Sequence, residues 1–206
     1  MVILLAGLFV TYLIGSIPTA YIFGRLFKGI DIRQYGSGNV GATNVFRVIG
    51  RFPGIVVLFT DMLKGFMCAT YVANLFMYIS PVVRPEFYSV LAGLAAIAGH
   101  NWSLFLRFRG GKGVATSAGV VIGLIPKIFW LGFLVWCIIF STTGFISLAS
   151  IIASASIPLF TLAFGEPTEI VIFMSILCLV IVYRHRPNIK RLQKGEEKRI
   201  SLFKKR

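Results

Sequence analysis

The chain has 206 residues, of which 57% are hydrophobic, and it carries 21 Lys and Arg against 7 Asp and Glu, a formal charge of +14. Such a charge on a soluble domain would point to nucleic acid, but here the apolar residues run in long uncharged blocks, which excludes an ordinary soluble fold and makes the position of each charge the informative quantity. No polar stretch is long enough to bury a core of its own, so the expectation is one integral-membrane domain over residues 1–206, without a nucleic-acid partner.

A span needs about 20 predominantly apolar residues to cross about 30 Å of hydrocarbon. The first candidate, residues 2–24, has no charged residue. No basic stretch precedes it, and Arg25 and Lys28 follow it, so it is read as a span with its N-terminus outside, not as a cleavable signal. Six more candidates follow, at 52–79, 87–106, 113–125, 128–141, 145–164 and 168–183. The fourth and fifth are short and separated by Pro126 and Lys127. The prediction is therefore an all-α polytopic protein with about seven transmembrane helices, or five if those two form a re-entrant hairpin. In that arrangement residues 25–51, 107–112 and 184–206 hold five, three and ten of the 21 basic residues, leaving Lys64, Arg84 and Lys127. Such asymmetry places these three segments and the C-terminus in the cytoplasm. No internal repeat points to an inverted-repeat transporter. Cys68, Cys137 and Cys178 lie in apolar segments without disulfide or metal spacing, so no metal or cofactor is expected.

Three polar clusters fall on the inner side. Residues 36–44 read Gly-Ser-Gly-Asn-Val-Gly-Ala-Thr-Asn, with Arg47 beyond. Glycine-permitted turns can gather backbone N–H groups into an anion-binding nest. Ser37, Asn39, Thr43 and Asn44 add side-chain donors, and Arg47 a bidentate one. Residues 107–117 hold Gly110, Gly111, Lys112 and Gly113 just before a helix, whose N-terminus attracts anions. This is not a Walker A loop, because Gly113 and not Ser or Thr follows the lysine. Its alternative is a basic anchor on anionic lipid. The third cluster places His185 and Asn188 among arginines at the end of the last span, where Pro187 is expected to end the helix at Arg186. Neighbouring cations favour the neutral, proton-accepting imidazole. Within the spans, Asp61 and Lys64 share a helix face as either a functional or a structural pair. His100 lies near the inner end of segment three, lining a cavity or resting at the interface.

These three motifs, in this order between apolar spans, closely resemble the PlsY family of bacterial membrane glycerol-3-phosphate acyltransferases, which use acyl phosphate as donor. The resemblance covers essentially the whole chain. It implies that Ser37 is essential, that Asn39, Thr43, Asn44 and Arg47 line the site, and that Gly110, Gly111, Lys112 and Gly113 hold the phosphate of glycerol 3-phosphate. It also implies that His185 and Asn188 stand at the reaction centre, with Glu197 structural. The product would be 1-acyl-glycerol 3-phosphate, the first acylation step of phospholipid synthesis, made at the cytoplasmic face of the inner membrane. The implied partners are glycerol 3-phosphate, acyl phosphate, membrane lipid and an enzyme that produces acyl phosphate. The base could be His185 or the donor's own phosphate.

Acyltransferases that use thioesters carry a His-x4-Asp motif. Here Phe105 follows His100 by five residues and Lys190 follows His185 by five, which disfavours that mechanism. A phosphate transporter would need polar residues through several spans and an outer vestibule, whereas the outer connections are short. A lipid-binding scaffold would need the basic tail but not the Ser, Asn and Gly clusters.

Overall fold

The computed structural model describes residues 1–81 and 83–200. The last three basic residues of the expected cytoplasmic tail (Lys204, Lys205, Arg206) lie outside these. Among the described residues all regular structure is helical, and the chain divides into two compact units, Met1–Ile125 and Pro126–Arg206.

The first unit contains α1 (Val2–Ser16), α2 (Thr19–Lys28), α3 (Ala42–Val48), α4 (Arg51–Met67), α5 (Ala73–Ile79), α6 (Pro85–Asn101) and α7 (Val114–Leu124). The expected first span is broken in two, because Pro18 has no N–H to continue the ladder and disfavours helical geometry at Ile17. Residues 68–72 form a π-helical turn joining α4 to α5, so residues 51–79 make one long, locally widened span. α1 packs against α6, and α4 against α7. Both pairs approach at glycines: a Cβ on Gly15 would strike the backbone of Ala96, and one on Gly119 the carbonyl of Met62. Small residues buy such close backbone approach in lipid, where hydrophobicity itself does not drive helices together.

The second unit contains α8 (Pro126–Thr143), α9 (Ile146–Ala163), α10 (Thr168–Arg184) and α11 (Arg186–Gln193), with α9 packed on both α8 and α10. Leu159, Leu162 and Leu179 point outward while Ser147, Ser150 and Thr161 are buried. Large apolar groups outside and small or polar ones inside are what a lipid solvent selects.

Among the described residues five helices are long and apolar enough to cross a membrane, and a sixth if α10 and α11, bent by 58°, count as one. The expected count of about seven would need α7 as a crossing as well. α7 has only 11 residues, about 16 Å of rise, well short of the hydrocarbon thickness. Segment five is instead 18 residues long, since Pro126 opens α8 at its first position, where a missing N–H costs nothing. The re-entrant pair of two short helices is therefore not what forms.

Pro187 behaves in the same way. The chain bends at His185 and turns again into α11, with Pro187 in the first turn, so Arg186 is the start of a helix and not the end of one.

Candidate functional site

The first polar loop is organised by one amide. The side chain of Asn44, almost wholly buried, accepts the Ser37 N–H at 2.8 Å and donates to the carbonyls of Ile32 and Tyr35 at 3.2 and 3.0 Å. These three bonds span the loop and fix where exposed Ser37 stands. Gly36 and Gly38 turn it through positive φ of 64° and 69°, and Asn39 donates its N–H toward the Ser37 hydroxyl at 3.5 Å. Asn44 thus contributes through the loop's shape. Thr43 and Arg47, half-buried, lie on α3 immediately after it.

At the loop's start Asp31 caps a short 3-10 turn and pairs with Arg33 at 2.6 Å. The Arg33 guanidinium holds the Asp31 carboxyl below the usual carboxylate range.

The second polar loop is tied to the C-terminus of α6. Gly110 N–H donates to the Asn101 carbonyl at 3.2 Å, and Gly111 N–H to the His100 carbonyl at 3.0 Å. These glycines therefore shape the loop, and Lys112 and the first turn of α7 follow directly after them. Gly113 enters that helix at φ 79°. Arg107 and Phe108, at φ 52° and 62°, are left-handed without being glycine, a strain of about 1–2 kcal/mol each. A Cβ on Gly111 would run into His100 Nε2 and would lie 2.8 Å from the Val40 carbonyl. The two loops therefore meet at Gly111, beside the His100 ring.

Behind them is a buried charge cluster. Lys64 Nζ pairs with Asp61 Oδ1 at 2.7 Å and donates to the Ile17 carbonyl at 3.1 Å. Thr19 donates its hydroxyl to the same Asp61 oxygen at 3.0 Å, and His100 Nδ1 lies 3.7 Å from it. The sequence placed Asp61 and Lys64 on one face, and the structure does so. Thr19 escaped sequence reading because a threonine after proline in an apolar run has no distinctive pattern.

In the second unit His185 is buried and its Nδ1 lies 2.8 Å from the Ile181 carbonyl, which can only accept. Nδ1 therefore carries hydrogen, and in the neutral ring Nε2 is the proton acceptor. Glu197 Oε1 accepts from both Ser147 Oγ and Asn188 Nδ2 at 2.6 Å, and Oε2 accepts from Arg191 Nε at 2.7 Å. A carboxylate cannot donate, so it holds the Asn188 nitrogen toward itself and leaves Oδ1 as that side chain's acceptor. Burial pushes the Glu197 carboxyl up, but the donors of Ser147, Asn188 and Arg191 outweigh it and hold its pKa below the ordinary value. Ser147 and Arg191 were not found from sequence. Ser147 lies 50 residues before Glu197, and only the fold joins them.

The sequence matches the family model for glycerol-3-phosphate acyltransferase over residues 5–195. The chain belongs to this family. Relatives include the glycerol-3-phosphate acyltransferase 2 of Moorella thermoacetica, 45% identical over 95% of this chain and 97% of that protein. The glycerol-3-phosphate acyltransferase of Endomicrobium trichonymphae is 43% identical over the full length of both. Among solved structures, the crystal structure of PlsY (YgiH), an integral membrane glycerol 3-phosphate acyltransferase, in its glycerol 3-phosphate form superposes with a TM-score of 0.87 at 40% identity, covering 96% of each chain. Its lysophosphatidic acid form gives 0.83 at 39%, covering 96% of this chain and 95% of that one. The protein is thus a multi-pass membrane acyltransferase.

Proposed function

We propose that this acyltransferase moves an acyl group from acyl phosphate to the sn-1 hydroxyl of glycerol 3-phosphate, giving lysophosphatidic acid and inorganic phosphate. The observation that carries the reading is the meeting of the two loops at Gly111. It sets Ser37, Asn39, Thr43 and Arg47 on one loop and its helix, and Lys112, Gly113 and the start of α7 on the other, with Gly110 and Gly111 giving the second its shape. Cation, hydroxyl and helix N-terminus together suit a phosphomonoester.

Acyl phosphate is a mixed anhydride and already activated, so the residues have neither a covalent intermediate nor a metal to supply. The hydroxyl oxygen attacks the acyl carbon, the bond to phosphate breaks, and phosphate leaves with the electron pair. Two anionic substrates repel each other, and Lys112 and Arg47 offset that repulsion. Positioning and electrostatics then supply the rate. His185 Nε2 is the protein's acceptor for the hydroxyl proton, Asn188 Oδ1 a second acceptor that orients the hydroxyl, and the departing phosphate the rival base. The acyl chain stays in lipid. Acyl phosphate hydrolyses readily in water, so an enzyme that produces it is the natural functional partner.

The site is assigned to the cytoplasmic side of the bacterial inner membrane, on residues 25–51, 107–112 and 184–206, because they carry most of the basic residues. An outside N-terminus with an inside C-terminus requires an odd number of crossings. With α10 and α11 as one span there are six long ones, so α7 and its loops make the seventh, through locally thinned bilayer. Cysteine labelling at Met1 and Gly195 checks this: labelling from the same side would refute it.

The deciding experiment measures phosphate release by purified protein in lipid with fresh acyl phosphate, with and without glycerol 3-phosphate. Release that requires glycerol 3-phosphate and vanishes in Lys112→Ala is expected. No release from folded protein would overturn the assignment of donor and acceptor.

A further inference from the structure

The buried His100 ring is not accounted for by the chemistry above. It sits at the end of α6, almost wholly buried, with its two nitrogens facing different parts of the first unit. Nδ1 faces Asp61 at 3.7 Å, an ion-pair distance and too long for a hydrogen bond. Asp61 itself is held, since its Oδ1 already takes the Lys64 ammonium at 2.7 Å and the Thr19 hydroxyl at 3.0 Å. Nε2 faces Gly111, so closely that no side chain larger than hydrogen fits at that position, and the Val40 carbonyl of the first loop borders the same space. The backbone of the same residue acts in parallel, since the His100 carbonyl accepts the Gly111 N–H at 3.0 Å.

We infer that His100 is a positioning residue for the phosphate-binding loop: its ring, oriented by the buried Asp61 and Lys64 pair, forms the floor on which Gly111 rests and sets the second loop in register with the first. A carboxylate facing Nδ1 selects the tautomer and ring orientation of an imidazole, the role outer partners play around metal-binding histidines. Here the oriented ring supports a backbone turn. The donors ahead of it, Lys112 and the first turn of α7, are displaced when the floor is lost. A displacement of about 1 Å can cost on the order of a hundredfold in a reaction that depends on placement. The effect acts on whichever substrate the second loop holds.

The inference rests on the assignment of glycerol 3-phosphate to that loop, and the test separates the two. Glycerol 3-phosphate binding is measured by titration calorimetry on wild-type protein, His100→Ala, His100→Gln and Asp61→Asn in lipid, alongside steady-state kinetics with each substrate varied. Expected for His100→Ala is a rise of about tenfold or more in Kd and KM for glycerol 3-phosphate, with KM for acyl phosphate and kcat little changed, and partial recovery in His100→Gln, whose amide can still reach toward Gly111. A role in stability alone would lower the folded yield and the melting temperature but leave both constants of the folded fraction as in wild type, and that result overturns the inference. Equal rises in KM for both substrates would overturn it too. If His100→Ala does not fold, His100→Gln and Asp61→Asn are read in the same way. Wild-type protein that binds no glycerol 3-phosphate would instead refute the substrate assignment, and with it this use of His100.

Discussion

Replacing Glu197 tests the second unit's polar centre, because one carboxylate there does three jobs. In Glu197→Ala, the buried hydroxyl of Ser147 and amide of Asn188 lose their acceptor, each having been bonded at 2.6 Å. Hydrogen bonds to a charged partner contribute about 1.5–3 kcal/mol each. The Arg191 bond, at 2.7 Å with that side chain 35% exposed, adds less than about 1 kcal/mol after solvent screening. The expected cost is about 3–6 kcal/mol, felt first where residues 194–200 are tied back against α9. Glu197→Gln keeps the shape, but an amide has one acceptor end and one donor end, so at least one of the three donors goes unpaired, at about 1–3 kcal/mol. Gln also ceases to dictate which way Asn188 points, so kcat should fall with it. The pH dependence has a definite sign. The folded-state pKa of Glu197 is depressed, so its stabilisation is complete above the unfolded value of about 4.3 and is lost as pH falls through the folded one. Hydrogen exchange over α11 and residues 194–200, with thermal melting in detergent from pH 7 down to 3, reads both effects. Glu197→Ala with unchanged exchange, melting and turnover at neutral pH would refute the reasoning, as would a Glu197→Gln protein that keeps the wild-type acid sensitivity.

His185→Gln should lose most activity and, if the imidazole accepts the proton, should also lose the acidic limb of the kcat profile; a profile of unchanged shape with substantial activity would hand the base role to the donor phosphate. Gly111→Ala should raise KM for glycerol 3-phosphate by about tenfold or more, since its methyl group would collide with His100 and crowd the Val40 carbonyl at 2.8 Å; near-wild-type kinetics would mean that the two loops do not meet there in solution. Asn44→Ala removes three bonds from a buried site, and should cost about 2–4 kcal/mol in stability and loosen the placement of Ser37. Thermal melting and KM for glycerol 3-phosphate check it, and an unshifted melting temperature would contradict the scaffold role.

The long uncharged blocks made the membrane class and most of the helices legible, because lipid imposes length and apolarity directly on the chain. Prolines misled twice. Pro126 and Pro187 looked like stops, yet each stands in the first turn of a helix, and only the geometry beyond it distinguishes the two uses. α7 was legible too, its expected bounds of 113–125 lying within one residue of the observed Val114–Leu124. At the site, motifs named the residues but not their occupations. Asn44 reads as a ligand donor and is spent on its own loop, and Gly110 and Gly111 read as phosphate donors and bond to α6. Partners distant in sequence, such as Ser147 for Glu197 and Thr19 for Asp61, carried no signal because their pairing exists only in three dimensions.

The Asp61 and Lys64 pair illustrates why a buried ion pair is kept. As a source of stability it is poor, since desolvating two charges can cost more than their attraction returns. Its surroundings give a better reason. The first span breaks at Ile17 and Pro18, and a break inside the membrane leaves backbone carbonyls that lipid cannot satisfy. Lys64 donates to the Ile17 carbonyl at that break, and Asp61 takes the hydroxyl of Thr19, the first residue of α2. An apolar pair would fill the volume and leave the carbonyl without this donor, at about 1–3 kcal/mol. The same carboxylate oxygen also faces His100, at 3.7 Å. One charged pair therefore fixes both the break between α1 and α2 and the ring beneath the second loop, which makes its conversion to a neutral pair a change in the site's geometry before it is a change in stability.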